Sequence, residues 1–91
     1  MSSKIQIYSK PNCPFCVKAK DLVKKLGFEY EEKMFGKDFT TPEQLYEAVG
    51  KQVRTMPQII IDDKHIGGYS ELVEHYADKG LVNFKGEIIR A

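Results

Sequence analysis

The sequence has little that would tie it to a nucleic acid, a membrane or a secretion route. Fourteen basic and thirteen acidic residues leave a net charge of +1, so no nucleic-acid or membrane-surface partner is indicated. The N-terminal MSSKIQIYSK lacks a signal-peptide core, and no stretch approaches the roughly 20 apolar residues that span a bilayer. With 91 residues, the chain is expected to form a single monomeric domain in the cytoplasm, with 81–91 as a tail of unassigned role.

The first third of the chain changes its apolar period twice. Polar and apolar residues alternate over 4–8 and again over 28–34, a pattern that predicts β-strands. Between them, apolar residues recur at helical spacing from Cys13 to Leu26, and Gly27 follows as a C-terminal cap. A helix that joins two strands in about 30 residues is a βαβ unit, so these strands are expected to be parallel.

The remaining elements complete an α/β layout. Three consecutive isoleucines within 58–62 indicate a strand buried on both faces, and a turn should return the chain as an antiparallel strand at 65–66. Thr41 is predicted to cap one helix over 42–49, and Ser70 to cap the last helix. We therefore predict an α/β fold with one mixed four-stranded sheet flanked by helices.

Both cysteines of the chain, Cys13 and Cys16, lie in the stretch SKPNCPFCVK. A structural zinc site needs four ligands, and the only histidines, His65 and His75, are ten residues apart and far downstream. A disulfide across so short a loop would constrain the unfolded chain little, and structural disulfides are rare in a reducing compartment. No metal site is expected, and a catalytic role explains the pair best.

The position of the pair predicts different roles for the two sulfurs. Cys13 begins a helix, where free N–H groups and the helix dipole favour an anion, and Lys10 adds positive charge. Such sites lower the pKa of a thiol from about 8.5 to roughly 3.5–7.5. Pro14 suits the first helical position because its missing N–H costs nothing there. We therefore expect Cys13 to attack a disulfide and Cys16, one turn further and less exposed, to resolve the product.

Two further segments indicate a binding site when they are considered together with the cysteine helix. The segment 55–57, Thr-Met-Pro, precedes the isoleucine strand, and its proline leaves neighbouring backbone groups free because proline cannot donate to a ladder. The segment 67–71, Gly-Gly-Tyr-Ser-Glu, leads into a helix N-terminus, which suits a carboxylate. Taken alone, each segment is typical of an ordinary strand start or helix cap, so only the combination is informative.

The motifs YSKPNCPFC, TMPQIIID and HIGGYSEL, in this order and spacing, resemble those of the small dithiol glutaredoxins of bacteria and their phages. The resemblance covers about residues 4–79 and implies a thioredoxin-like fold, a cis Met56–Pro57 bond and glutathione as reductant. It requires no bound cofactor. Glutathione would pair with the Met56 backbone in strand fashion. The glutathione-binding residues that it implies are Lys10, Phe15, Arg54, Thr55, Met56, Pro57, Gly68, Tyr69 and Ser70.

Within that set, the γ-glutamyl carboxylate would meet 68–70, while Lys10 with either Arg54 or Gln52 would meet the glycyl carboxylate. Phe15 stands where the family usually has tyrosine, which removes a hydroxyl. The residues 69–71, Tyr-Ser-Glu, replace a commoner pattern of a small residue followed by aspartates, so Ser70 adds no charge.

The resemblance implies an enzyme that reduces protein disulfides and glutathione mixed disulfides, with ribonucleotide reductase as a suggested client. One alternative is a module that binds an iron–sulfur cluster with glutathione as ligand. That class usually has a single active-site cysteine followed by glycine, unlike Cys16 and Pro14 here. The other alternative is a redoxin that thioredoxin reductase reduces, against which the implied carboxylate contacts argue.

Overall fold

The computed structural model of the protein describes residues 4–83 and 87–88. Within these residues no helix is both long enough and apolar enough to cross a bilayer. The strands and helices of the described part are, in chain order, β1 Ile5–Ser9, α1 Pro14–Lys25, β2 Glu31–Met34, α2 Pro42–Val49, β3 Gln58–Ile61, β4 Lys64–Gly67 and α3 Tyr69–Asp78.

The four strands form one mixed sheet in the order β2-β1-β3-β4, which confirms the predicted sheet. β1 runs parallel to β2 and antiparallel to β3, and β4 returns antiparallel beside β3. The central pairing places Ile7 opposite Ile59, and both side chains are fully buried. Because α1 connects the parallel pair, the predicted βαβ unit is also confirmed.

The second strand begins later than predicted, at Glu31 rather than at residue 28. Gly27 has φ +85°, and the next amide, that of Phe28, donates to the Val23 carbonyl at 3.1 Å. Phe28 therefore closes the end of α1 instead of pairing in the sheet, a common helix ending. Its ring packs against Tyr76 of α3 at 5.7 Å between centroids, which explains its apolar character.

The consecutive isoleucines of β3 supply both faces of the sheet, as predicted. Side chains alternate along a strand, so Ile59 and Ile61 join the core beneath α1 and α3, whereas Ile60 faces the α2 side. Full burial of one such side chain stabilises the fold by about 1.5–3 kcal/mol. The α2 side holds a smaller cluster that Ile60 forms with Phe39, Leu45 and Val49.

The two predicted helix caps have different outcomes. Thr41 caps α2, where its hydroxyl accepts from the Gln44 N–H and the Gln44 amide oxygen accepts from the Thr41 N–H, each at 3.3 Å. Ser70 does not cap α3, because Tyr69 is already helical and the N-cap is Gly68. The Glu71 carboxylate accepts from the Gly68 N–H at 2.7 Å, so the helix begins two residues earlier than the serine predicted.

Part of the segment after α3 packs onto the domain. Val82 is 1% exposed and belongs to the core beneath α1 and α3. It forms an isolated antiparallel bridge with Ile88, and the Asn83 N–H donates to the Glu87 carbonyl at 2.9 Å. The 81–91 tail therefore docks on the domain at Val82, while its apolar residues Phe84 and Ile89 lie outside the described residues.

Candidate active site

Cys13 is the N-cap of α1 and has the extended backbone of a capping residue, with φ −118° and ψ 100°. Its Sγ accepts from the Cys16 N–H at 3.2 Å, and it is joined to the Cys16 sulfur in a disulfide. The first turn of α1 contains no acidic residue, and Pro14 occupies its first position as predicted. Once the disulfide is reduced, the free N–H groups and the helix dipole favour the negatively charged form of this sulfur.

Cys16 lies one turn further into the helix and is the less accessible member of the pair. It is 1% exposed, against 7% for Cys13, so the predicted order of exposure is confirmed. Both residues are largely covered, but Cys13 keeps the greater accessibility. This order of exposure is the one that the expected roles, attack by Cys13 and resolution by Cys16, require.

A second loop, the one that precedes β3 beside β1, reaches the Cys13 sulfur. The Met56–Pro57 peptide bond is cis, as the resemblance implied. The Met56 carbonyl oxygen lies 3.6 Å from Cys13 Sγ, although 43 residues separate the two in the chain. Pro57 precedes β3, where its missing N–H removes no ladder bond. A backbone segment is thus held directly beside the reactive sulfur.

The start of α3, which follows β4 directly, lies against the Met56–Pro57 loop and the cysteine helix. An ideal Cβ at Gly68 would lie 3.4 Å from the Pro57 carbonyl oxygen, so the two loops are in close contact. The rings of Tyr69 and Phe15 are 6.0 Å apart between centroids, and Phe15 is 54% exposed. Tyr69 and Ser70 occupy the first two positions of α3, where backbone N–H groups have no partner within the helix.

Three surface depressions lie in this region, and one of them contains Cys13. One of about 600 Å³ contains Lys10, Cys13 and Cys16. A groove of about 330 Å³ shares Lys10 with it and also contains Met56. Arg54 and Thr55 form a common wall between that groove and a pocket of about 370 Å³ that includes Gln52 and Gly68. Since Arg54 and Gln52 both line this pocket, the choice between them stays open.

A chain of hydrogen bonds that no sequence motif indicates holds the Met56 loop in place. The buried Gln58 side chain donates from Nε2 to the Thr55 carbonyl at 2.7 Å and to Thr55 Oγ1 at 3.3 Å. Its Oε1 contacts His65 Nε2 at 2.7 Å. Burial lowers the pKa of His65, with the positive charge of Lys51 as a second cause. No spacing signal links these residues, because the contact joins β4 to the loop before β3.

Behind the cysteine helix, a charged pair connects α1 to β2. Lys20 contacts the Glu32 carboxylate at 2.5 Å, and the buried Ser9 hydroxyl donates to the same oxygen at 2.9 Å. The hydrogen bond from Lys20 lowers the pKa of Glu32 below its usual 4.5. Lys20 also lines the depression that contains both cysteines.

Among the described residues no group of three or more His, Cys, Asp and Glu side chains could hold a metal ion.

The structure brings most of the predicted residues into adjoining contacts. The Phe15 and Tyr69 rings meet, Lys10 shares a groove with Arg54, Thr55 and Met56, and Gly68 shares a pocket with Arg54 and Thr55. Glu71 belongs to the predicted 67–71 segment but not to the predicted binding residues, and its role at the helix start was not predicted, although an acidic residue three positions after the N-cap is part of a capping pattern. Its contact occupies the Gly68 N–H and leaves those of Tyr69 and Ser70 as the helix-terminal donors.

Comparison with known sequences agrees with this geometry. The family model for glutaredoxin matches residues 5–66. Glutaredoxin 1 of Escherichia coli is 41% identical over 70 residues, which cover 71% of this chain and 82% of that protein. A glutaredoxin of Haemophilus influenzae is 42% identical over 72 residues, covering 74% and 83% of the two chains.

Solved structures give the same result for the fold. Reduced Escherichia coli glutaredoxin superposes with a TM-score of 0.73 at 36% identity, covering 82% of this chain and 94% of that one. A buckwheat glutaredoxin, solved as a complex with glutathione, superposes with a TM-score of 0.69 at 27% identity and covers 90% and 76%. The predicted thioredoxin-like fold is confirmed. The chain therefore belongs to the glutaredoxin family, and its Cys13–Cys16 pair is the redox-active pair of a thiol–disulfide oxidoreductase.

Proposed function

We propose that the protein uses glutathione to reduce protein disulfides and glutathione mixed disulfides. The observation that carries the proposal is the position of Cys13, which caps α1 with its sulfur 3.6 Å from the Met56 carbonyl oxygen. A tripeptide paired with the Met56 backbone in strand fashion would place its own sulfur beside Cys13. A related buckwheat glutaredoxin was solved with glutathione, which supports the choice of reductant.

The charges of glutathione suit the two sides of the site. Its γ-glutamyl carboxylate would accept from the free N–H groups of Tyr69 and Ser70 at the start of α3, where the helix dipole is positive. Its glycyl carboxylate would face Lys10, together with Arg54 or Gln52. Lys10 and Arg54 are exposed and form no ion pair within 4–83 and 87–88, so both are available to a ligand.

On a glutathione mixed disulfide the reaction needs one protein thiol. The Cys13 thiolate attacks the glutathionyl sulfur, a Cys13–glutathione disulfide forms, and the client leaves as a thiolate that takes a proton. A second glutathione thiolate then attacks the glutathionyl sulfur, releasing oxidised glutathione and the Cys13 thiolate. The sulfur of the second glutathione is oxidised and the client sulfur is reduced, while the glutathionyl sulfur stays in a disulfide throughout, so electrons balance.

On a protein disulfide both cysteines are needed. Cys13 attacks one client sulfur, and the first client thiolate leaves. The Cys16 thiolate then attacks Cys13, forming the Cys13–Cys16 disulfide seen in the structure and releasing the second client thiolate. Close positioning gives this intramolecular step a large effective molarity, so free glutathione competes poorly for it. Two glutathione molecules afterwards reduce the disulfide.

We place the enzyme in the cytoplasm, where glutathione is reduced, and ribonucleotide reductase is one client.

The test couples glutathione and glutathione reductase to two substrates, a small glutathione mixed disulfide and a protein disulfide. Cys13→Ser is expected to abolish both activities. Cys16→Ser should keep the first and lose most of the second. Metal analysis of the purified reduced protein should find no zinc or iron. The proposal fails if the wild type turns over neither substrate with glutathione but does so with thioredoxin reductase, or if the two variants show the reverse pattern.

A further inference from the structure

An apolar groove lies on the α2 side of Met56, next to the reactive sulfur. It shares Lys10, Arg54, Thr55 and Met56 with the proposed glutathione site, but its apolar walls belong to no contact assigned to glutathione. Its volume is about 330 Å³, which suits one large side chain. Phe35 on its rim is 41% exposed, whereas Phe39 and Leu45 beneath it are buried. The side chains that make its walls apolar are those of Phe35, Phe39, Pro42, Leu45, Tyr46 and Val53.

Aromatic contacts and a backbone hydrogen bond hold the wall of the groove in place. The Phe35 ring meets Phe39 edge-on at 5.5 Å between centroids, and Phe39 in turn contacts Tyr8 of β1 at 5.5 Å. The loop between the two phenylalanines is closed by the Gly36 N–H, which donates to the Phe39 carbonyl at 2.7 Å. Because the wall is tied to the sheet, the groove exists before any ligand arrives, which reduces the entropic cost of binding.

Glutathione does not account for this surface. It is a polar tripeptide with two carboxylates and no large apolar side chain, so it can use Lys10, Arg54 and the Met56 backbone but leaves the apolar walls uncovered. In the reduction of a protein disulfide, however, the client polypeptide occupies the site before any glutathione enters. The same two cations are then open to the client, and Met56 connects the groove to Cys13 at 3.6 Å.

We infer that this groove binds the client polypeptide itself, taking a large apolar or aromatic side chain close to the attacked cysteine while a neighbouring carboxylate faces Lys10 and Arg54. The inference rests on the proposed function and adds the substrate class, namely disulfides in acidic segments that carry an aromatic residue. An extended chain advances about 3.3 Å per residue, so the aromatic residue lies within a few positions of the cysteine.

The test avoids glutathione altogether. Protein reduced with dithiothreitol and then freed of it reacts in a single turnover with synthetic peptides that contain one intrachain disulfide. Phenylalanine or alanine is placed one to four positions outside the attacked cysteine, with glutamate or glutamine beside it, and the rate is followed by chromatography of the reduced peptide. At low peptide concentration, the best phenylalanine–glutamate peptide should react about tenfold faster than its alanine–glutamine counterpart.

Two variants of the groove and one matched control test whether the groove causes the preference for the phenylalanine peptide. Phe35→Ser should remove the advantage of phenylalanine while the alanine peptide reacts at the wild-type rate, and Tyr46→Ser gives an independent second change in the lining. Val17→Ser is the control, because Val17 is 59% exposed near the cysteines but lies outside the groove. The advantage of glutamate should shrink at high salt.

Several outcomes would overturn the inference. Equal rates for all peptides would show that the groove binds no client. Loss of the preference in Val17→Ser with retention in Phe35→Ser would move the client to the face of α1. Dimerisation of the wild type in sedimentation, abolished by Phe35→Ser, would assign the groove to a second copy of the chain. A wild type that prefers the acidic aromatic peptide yet fails with glutathione would refute only the proposed reductant.

Discussion

Replacing Gln58 with methionine tests whether one buried amide holds the loop that faces the reactive sulfur. Gln58 is 4% exposed, and methionine matches its length, so the substitution leaves no cavity but removes every hydrogen bond of the side chain. The Thr55 carbonyl can only accept, so the amide nitrogen must face it and Oε1 must face His65. His65 therefore carries its proton on Nε2, and methionine leaves that N–H unpaired.

The magnitude follows from the groups that lose their partners. The His65 N–H and the Thr55 carbonyl each lose a contact of 2.7 Å, and a hydrogen bond of this kind contributes about 0.5–1.5 kcal/mol. Thr55 is exposed and His65 only partly buried, so water can replace part of what is lost, and we expect a loss of about 1–2 kcal/mol. In a domain of this size that lowers the Tm by roughly 4–16 °C, since each 1 kcal/mol shifts it about 4–8 °C.

Urea denaturation at neutral pH measures this loss as a shift of the midpoint at constant slope. The matched control is Gln6→Met on the neighbouring strand, because the amide of Gln6 donates to Glu31 at 3.3 Å in an exposed position. That change should stay within about 0.5 kcal/mol of the wild type. Equal midpoints for the two variants would refute the reasoning. The KM for a glutathione mixed disulfide should also rise in Gln58→Met, whereas alkylation of Cys13 should be unchanged.

Three further predictions concern charge, backbone and pH. Lys10→Glu should raise both the Cys13 thiol pKa, followed by alkylation rate against pH, and the KM for glutathione; wild-type values at all salt concentrations would contradict the placement of Lys10. Gly67→Ala should cost about 1–2 kcal/mol in urea, because φ is +125° and a Cβ would lie 2.8 Å from Glu71 Cγ; an unchanged midpoint would contradict it. Burial lowers the pKa of His65 below 6.5, so protonation favours the unfolded chain. Stability should therefore be complete above that pH and decline as pH falls through the lower folded value; an equal decline in His65→Gln would contradict this.

The sequence by itself determined the features that depend on residues close together in the chain. The cysteine at the start of α1, Pro14 at its first position and the Thr41–Gln44 capping box were predicted, because each depends on backbone contacts inside one turn. The three isoleucines of β3 predicted a strand buried on both faces for the same reason, since alternation is a property of the strand alone. The cis Met56–Pro57 bond was expected only through the family resemblance.

The tertiary structure decided which distant groups meet. Met56 reaches Cys13 because β1 and β3 pair side by side, and Gly68 reaches Pro57 because β4 returns along β3. Glu71 displaced Ser70 as the group that completes the helix start, since its carboxylate reaches back to the Gly68 N–H. The groove of Phe35 and Tyr46 exists only where the loop after β2 meets α2. Such contacts join segments far apart in the chain, so their formation depends on the packing of the whole sheet rather than on local preference.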